Sequence, residues 1–211
     1  MTQNKTIAIL GAGKLGVVLA QLAIKAGYQV YIAGSGSPDK IRLSMRILAP
    51  GSIVATAAEA AGAANTVILA LPLGKYTTIP TEALAGKLVI DAMNYWWEVD
   101  GDRPDLQSPD TTTSELVQAY VPDARVVKAL SHMGYHHLID GARLTGTPGR
   151  KAIAIAGGSS DDILDVSQLI DDLGFDPLVI GDLVSGKHLE PGHPAFGANV
   201  DRTALAALIH A

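Results

Sequence analysis

Short apolar runs alternate along this chain with longer stretches whose apolar residues fall at helical spacing. Residues 7–10 form an apolar run and read as a strand, and 14–26 read as a helix ended by Gly27. A second strand is expected over 29–33 and a helix over 38–48, with Pro38 near its first turn. A short strand follows at 52–55. Thr56 then has Glu59 three residues on, the pattern of a capping box. Residues 66–71 read as strand four, stopped by Pro72, and 88–92 as strand five. A helix over 114–120 and a strand over 125–130 complete six strand signals separated by helix signals, which predicts a parallel sheet wound on both faces. Beyond it, a strand is expected at 152–156. A helix should start at Ser159-Ser160-Asp161-Asp162, where acids favour the dipole, and end at Gly174. A strand at 177–180, an irregular stretch over 187–196 and a closing helix over 201–210 follow. The expected organisation is a domain over 1–145 and a small carboxyl-terminal lobe over 146–211, on the acceptor side and available for a dimer contact. The loop over 94–113 is long and carries Tyr95, Trp96 and Trp97.

The first strand-to-helix junction carries the main chemical signal. Gly11-Ala12-Gly13-Lys14-Leu15-Gly16 is a Gly-x-Gly-x-x-Gly turn between an apolar run and a helix, the fingerprint of a dinucleotide-binding βαβ unit. Its first glycine allows the tight turn. The second lets backbone approach a pyrophosphate, and the third lets helix pack on strand. The helix N-terminus then favours the anion. The fold class expected is therefore α/β, a Rossmann-type doubly wound parallel sheet with a small C-terminal lobe.

Strand two selects between dinucleotides. NAD sites place a carboxylate at its end, on the ribose 2′-hydroxyl. Here Gly34-Ser35-Gly36-Ser37 follows, with Lys40 and Arg42 nearby, and hydroxyls and cations suit a 2′-phosphate. NADP(H) is the expected cofactor. Asp39, the one nearby acid, is expected to cap the second helix.

Composition narrows the classes. The 211 residues are 48% hydrophobic with a net charge of −5, enough for a sizeable core and without a basic cluster for nucleic acid or anionic membrane. Acids outnumber bases thirteen to seven in residues 106–211, which reads as a solvated surface. The absence of cysteine excludes thiol chemistry and thiolate metal sites. No apolar run approaches the ~20 residues of a membrane span, and no secretory signal is expected ahead of the first strand. A cytoplasmic protein is the expectation.

The chain resembles the family of NADP oxidoreductases dependent on the deazaflavin coenzyme F420. The resemblance rests on the glycine turn, on Gly34-Ser35 with Lys40, and on Ala70-Leu71-Pro72-Leu73. It continues through Asp91-Ala92-Met93-Asn94, Thr113-Ser114-Glu115-Leu116-Val117, Val126-Val127-Lys128-Ala129-Leu130, Leu173-Gly174-Phe175 and Leu189-Glu190-Pro191-Gly192. It implies hydride transfer between NADPH and the deazaflavin or a flavin-like acceptor. It also implies that Gly11 to Gly16 hold the pyrophosphate, that Ser35 and Lys40 hold the 2′-phosphate beside Gly36 and Ser37, and that Leu71, Pro72 and Leu73 line the groove. Met93 and Asn94 would lie near the nicotinamide, Ser131, His132 and Met133 beside the acceptor. A homodimer is implied as well. Gly36 stands where NADP-selecting members often carry Arg.

Hydride transfer needs aligned rings more than an acid–base pair, and no catalytic constellation stands out. His132 is the candidate catalytic group, polarising or protonating the acceptor, with a hydrogen-bonded loop histidine as the equal alternative. A metal site at His132, His136 and His137 is not expected, because Gly134 interrupts the segment and carboxylates are lacking nearby. Trp96 and Trp97 either cover a flat cofactor or bury against the appended lobe or a subunit partner; burial is favoured. A turn framework accounts for His188, Glu190 and His193. Two other functions fit the cofactor site: an NADPH-dependent reductase of another acceptor (flavin, quinone or metal chelate), or a dinucleotide sensor without catalysis.

Overall fold

The computed structural model describes residues 5–108 and 110–211. Residues 1–4, part of the polar start, and Pro109, in the long loop, lie outside them. Eight strands form one sheet: β1 (Thr6–Leu10), β2 (Gln29–Ala33), β3 (Ile53–Val54), β4 (Thr66–Leu69), β5 (Leu88–Asp91), β6 (Arg125–Ala129), β7 (Ala152–Gly157) and β8 (Asp176–Gly181). The order across the sheet is β3-β2-β1-β4-β5-β6-β7-β8. The first six are parallel, β7 runs antiparallel to β6, and β8 is parallel to β7. The helices are α1 (Lys14–Lys25), α2 (Asp39–Leu48), α3 (Ala57–Ala63), α4 (Thr81–Leu84), α5 (Trp97–Asp100), α6 (Thr113–Tyr120), α7 (Tyr135–Gly141), α8 (Ser160–Asp172) and α9 (Arg202–Ile209). Among the described residues no helix is long and apolar enough to cross a membrane.

The period of two along each strand feeds two cores. Ile7 and Ile9 pack with Leu19 of α1 on one face, Ala8 and Leu10 with Ala60 of α3 and Val117 of α6 on the other. Capping boxes at Thr56/Glu59, Thr112/Glu115 and Ser159/Asp162 start α3, α6 and α8.

Residues 146–211, expected as a separate lobe, extend the same sheet instead. Ile153 and Ile155 of β7, Ile170 of α8 and Phe175 join the core that holds Ile9. Only a small cluster on the other face of β7, around Leu189 and Leu205, is local to this segment. Strand β6 stops one residue earlier than expected because Leu130, fully buried, takes a positive φ of 62°. That is a strained conformation for a branched residue, and it turns the chain abruptly toward Ser131.

Candidate functional site: the carboxyl edge of the sheet

The strand order reverses between β1 and β4, where open α/β sheets bind ligands. Gly11 has φ 125°, and a Cβ there would lie 2.2 Å from the Ala70 carbonyl oxygen. Gly16 is packed as closely, with a hypothetical Cβ 1.8 Å from the Gly11 oxygen. Gly13 differs: a Cβ would meet nothing within 4 Å. Gly13 is also the N-cap of α1, with no side-chain cap and no acid in the first turn. The N-terminus of a 12-residue helix therefore opens, bare, onto a cleft of about 690 Å³. Gly11, Ala12, Gly13, Ser35, Gly36, Leu71 and Pro72 line it, with Lys75 and Thr78 on the far wall. This fits a dinucleotide: backbone is exposed where a pyrophosphate needs close approach, and free N–H groups face it.

In the turn after β2, Ser35, Gly36 and Ser37 are exposed. Asp39 does not cap α2. Pro38 holds the N-cap position, and the Asp39 carboxylate pairs with Arg42 at 2.9 Å. That pair occupies Arg42. Lys40 has no ion-pair partner among the described residues, and its Nζ would be 3.5 Å from a Cβ at Gly36. Lys75 is likewise unpaired, exposed and on the cleft wall. Sequence reasoning passed over it; a cation three residues beyond Pro72, at the end of β4, was the available signal.

Of the other expected cofactor residues, Lys14 is exposed with its Nζ 5.4 Å from the Tyr135 ring centre, and Leu15 packs against the core. Leu73 and Met93 do not line the groove: both side chains are buried in the core on the α3/α6 face. Leu73 turns inward with the 3₁₀ turn Leu73–Thr78, and Met93 belongs to a hydrogen-bonded network.

That network fills the sheet edge at β5 and β6. Asp91 and Lys128 sit in register on neighbouring strands, and both side chains are fully inaccessible. Their ion pair spans 3.4 Å. Asp91 also accepts from the Met93 N–H at 2.9 Å and the Ser114 hydroxyl at 2.6 Å, while Lys128 donates to the Met93 carbonyl. Asn94 follows directly. Its Nδ2 donates to the carbonyls of Ser131 (3.1 Å) and Leu189 (3.0 Å), tying three loops together.

His132 lies enclosed, with its ring against backbone. It is 1% exposed, its Nε2 accepts from the Ala154 N–H at 3.2 Å, and its own carbonyl accepts from Gly197 N–H. Burial pulls its pKa down to about 4, against a smaller opposing effect of the Ala195 backbone. A neutral ring accepting at Nε2 carries its proton on Nδ1. Met133 is buried too, and Ser131 is half-buried, its Oγ enclosed and without a hydrogen-bond partner among the described residues. Among the described residues no three metal-ligating side chains converge.

In the single chain Trp96 and Trp97 are 44% and 67% exposed. The Trp96 ring leans on Phe196, 6.0 Å between centres. Their loop is nonetheless pinned. Asp100 accepts from the N–H groups of Trp96 (2.9 Å) and Gly74 (2.8 Å), and Arg103 donates to the Gly74 carbonyl at 3.1 Å. Between this loop and Glu190 lies a second cavity, of about 400 Å³. The Glu190 carboxylate accepts from the Thr113 N–H (2.8 Å) and hydroxyl (2.6 Å) with the same oxygen, Oε1. A turn framework did not anticipate that contact, which spans 77 positions of sequence.

Comparison with known proteins agrees with this geometry. Residues 6–95 match the family described as NADP oxidoreductase, coenzyme F420-dependent. A hypothetical protein from Sinorhizobium meliloti, SMa0349, is 30% identical with a TM-score of 0.81, the match covering 93% of this chain and 95% of that one. The family match spans residues 6–95 of the 211, and the likeness to SMa0349 runs over nearly the whole chain. The matched family's description names NADP and the oxidoreductase class. A candidate F420-dependent NADP-reductase from Arthrobacter sp. FB24 shares the fold at 24% identity and a TM-score of 0.72, over 86% of each chain. The rat metalloreductase STEAP3 is 26% identical over 186 residues, 87% of this chain. The chain spans about a third of that relative's length, 35%.

Proposed function

We propose that the protein transfers a hydride between NADP(H) and a flat flavin-type acceptor, the deazaflavin coenzyme F420 first among them. The observation that carries the reading is the bare α1 N-terminus opening on an empty glycine-lined cleft, with unpaired Lys40 beside Gly36. When bound, NADPH supplies one hydride to the acceptor ring, a solvent proton completes the two-electron reduction, and NADP⁺ remains.

The chain's own residues bind and align. Gly11 to Gly16 present backbone N–H groups to the pyrophosphate, while Ser35, Ser37 and Lys40 meet the 2′-phosphate with hydroxyls and a cation. Leu71 and Pro72 give the groove an apolar wall. The Asp91–Lys128–Ser114 network and the Asn94 amide hold the β5 and β6 loops rigid beside it. No protein proton donor is required, which agrees with a neutral His132 bound to backbone. The likeness to a metalloreductase supports a second acceptor class, a metal chelate.

Stopped-flow absorbance of NADPH oxidation tests the reading, with oxidised deazaflavin and free flavin as parallel acceptors. Rapid, saturable oxidation by the deazaflavin is the expected result. Oxidation by flavin alone moves the protein to the flavin and metal-chelate reading. No oxidation with either, alongside tight NADPH binding, leaves the dinucleotide sensor.

A further inference from the structure

We infer that Lys75, across the cleft from the β2 turn, is a specificity-determining residue whose ammonium is the second cation for the cofactor's 2′-phosphate. The inference rests on the NADP(H) reading of the cleft proposed above and deepens it with a residue outside both the glycine turn and the β2 turn. The β2 turn is short of positive charge for a reason built into its backbone. Gly36 has φ 82°, a conformation that residues with a side chain rarely adopt. An arginine at that position is therefore strained. Ser35 and Ser37 bring hydroxyls, and Arg42 is engaged by Asp39 at 2.9 Å. Lys40 is left as the free cation on that wall. A phosphate monoester carries about −1.5 to −2 charges at pH 7, so one ammonium neutralises it only in part.

The opposite wall supplies the missing charge. Lys75 lines the same cleft as Ser35 and Gly36. It stands in the 3₁₀ turn Leu73–Thr78 that follows β4. Its backbone is fixed on both sides: the N–H donates to the Pro72 carbonyl at 3.0 Å, and the carbonyl accepts from the Thr78 hydroxyl at 2.8 Å. Gly74 before it is held by Asp100 at 2.8 Å and Arg103 at 3.1 Å. The Lys75 side chain, by contrast, is exposed and has no ion-pair partner among the described residues. A lysine ammonium is a compact point charge suited to phosphate. Two anions compete for it, the pyrophosphate and the 2′-phosphate. The pyrophosphate is already met by the bare N-terminus of α1. Ile41 on the β2 side and Ile79 on the β4 side also line the cleft, an apolar pair suited to the two faces of adenine. An adenosine held there carries its ribose 2′ position at the end of β2, where Lys40 waits on one side and Lys75 faces it from the other.

The test is isothermal titration of wild-type protein and Lys75→Met with NADPH and NADH, and with 2′,5′-ADP and 5′-AMP, fragments that carry no nicotinamide and differ only in the 2′-phosphate. Lys75 is exposed, so folding is not at stake, and methionine keeps an apolar stem while removing the charge. Lys75→Met should weaken NADPH and 2′,5′-ADP about 10-fold and leave NADH and 5′-AMP unmoved. Lys75→Arg, which keeps a cation, should retain most of the preference for NADPH. With Lys40→Ala added to Lys75→Met, the loss for NADPH should approach ~100-fold. Unchanged NADPH affinity in Lys75→Met, with wild type still preferring NADPH, overturns the inference. An equal loss of NADPH and NADH overturns it too, because the ammonium then serves the pyrophosphate or the adenine. Wild-type protein that binds the two dinucleotides equally overturns the NADP(H) reading and this inference with it. Wild-type protein that oxidises NADPH with neither acceptor fails the hydride reading alone, and the titrations still decide the role of Lys75.

Discussion

Between β1 and β4 the carboxyl edge of the sheet is emptied; between β5 and β6 it is filled. At the first position glycines remove side chains, so that Gly13 faces open space and α1 presents uncapped N–H groups. At the second, Asp91, Lys128 and Ser114 occupy the edge and bind one another, while Asn94 beside them holds the Ser131 and Leu189 carbonyls. One region is built to receive charge from outside. The other has brought its own charge inside, at the cost of desolvating it, and gains loops held in fixed positions. The difference teaches where adaptability lies: the β1–β4 end is a backbone surface indifferent to most side chains, whereas the β5–β6 end depends on each member of a network.

The sharpest way to break this contrast is Lys128→Ala. It leaves the fully buried Asp91 carboxyl without its cation and the Met93 carbonyl unserved. Losing one partner of a buried pair costs about 3–5 kcal/mol. Urea unfolding should show that loss in its midpoint, and Asp91→Asn added to Lys128→Ala should recover part of it. A shift below ~1 kcal/mol would mean that the pair is not a network element.

The cofactor end should behave in the opposite way. Gly13→Val adds bulk where no atom lies within 4 Å, so stability should hold while NADPH binding is lost. Gly16→Ala, whose Cβ would fall 1.8 Å from the Gly11 oxygen, should destabilise the fold by about 1–3 kcal/mol or more. Isothermal titration beside thermal unfolding separates the two. Gly13→Val protein that still binds NADPH would remove the pyrophosphate assignment.

The same contrast explains what the sequence made legible. Glycine spacing, strand-helix alternation and three capping boxes are local, so β1–β6 and the glycine turn could be read from neighbouring residues. The pairing of β7 with β6 is a long-range event that no local pattern announces, so the placing of residues 146–211 on the same sheet could not be read from neighbours. Leu73 and Met93 were misassigned for a related reason: they lie in the expected motifs, but which side chain turns inward depends on the 3₁₀ turn and on Asp91. Asn94–Leu189 and Thr113–Glu190 join residues 95 and 77 positions apart. Nothing in a single sequence marks such partners.

His132 offers a pH-dependent test of the filled end. Its pKa in the fold, about 4, lies below the ordinary value of about 6.5, so the folded state resists taking up a proton that the unfolded chain accepts. Stability from this group is full above pH ~6.5 and falls as pH drops toward 4, at up to about 1.4 kcal/mol per pH unit. His132→Gln, which keeps an acceptor for the Ala154 N–H, should flatten the wild-type slope in that window. NADPH oxidation should show no inflection from this group near neutrality. An activity inflection near pH 6 to 7 that His132→Gln abolishes would restore it as an acid.

Lys40 is the smallest and most selective test, because the two dinucleotides differ only in the 2′-phosphate. The side chain is exposed and unpaired, so Lys40→Ala should leave unfolding unchanged. A single solvent-facing charge-assisted contact is worth about 1.4 kcal/mol, or ~10-fold in NADPH affinity, with NADH affinity unmoved. Arg42→Ala serves as the contrast: its guanidinium is engaged by Asp39 at 2.9 Å, so NADPH should bind as before. Equal losses of NADPH and NADH in Lys40→Ala would detach Lys40 from the phosphate. Discrimination would then rest on Ser35, Ser37 and the Lys75 ammonium across the cleft.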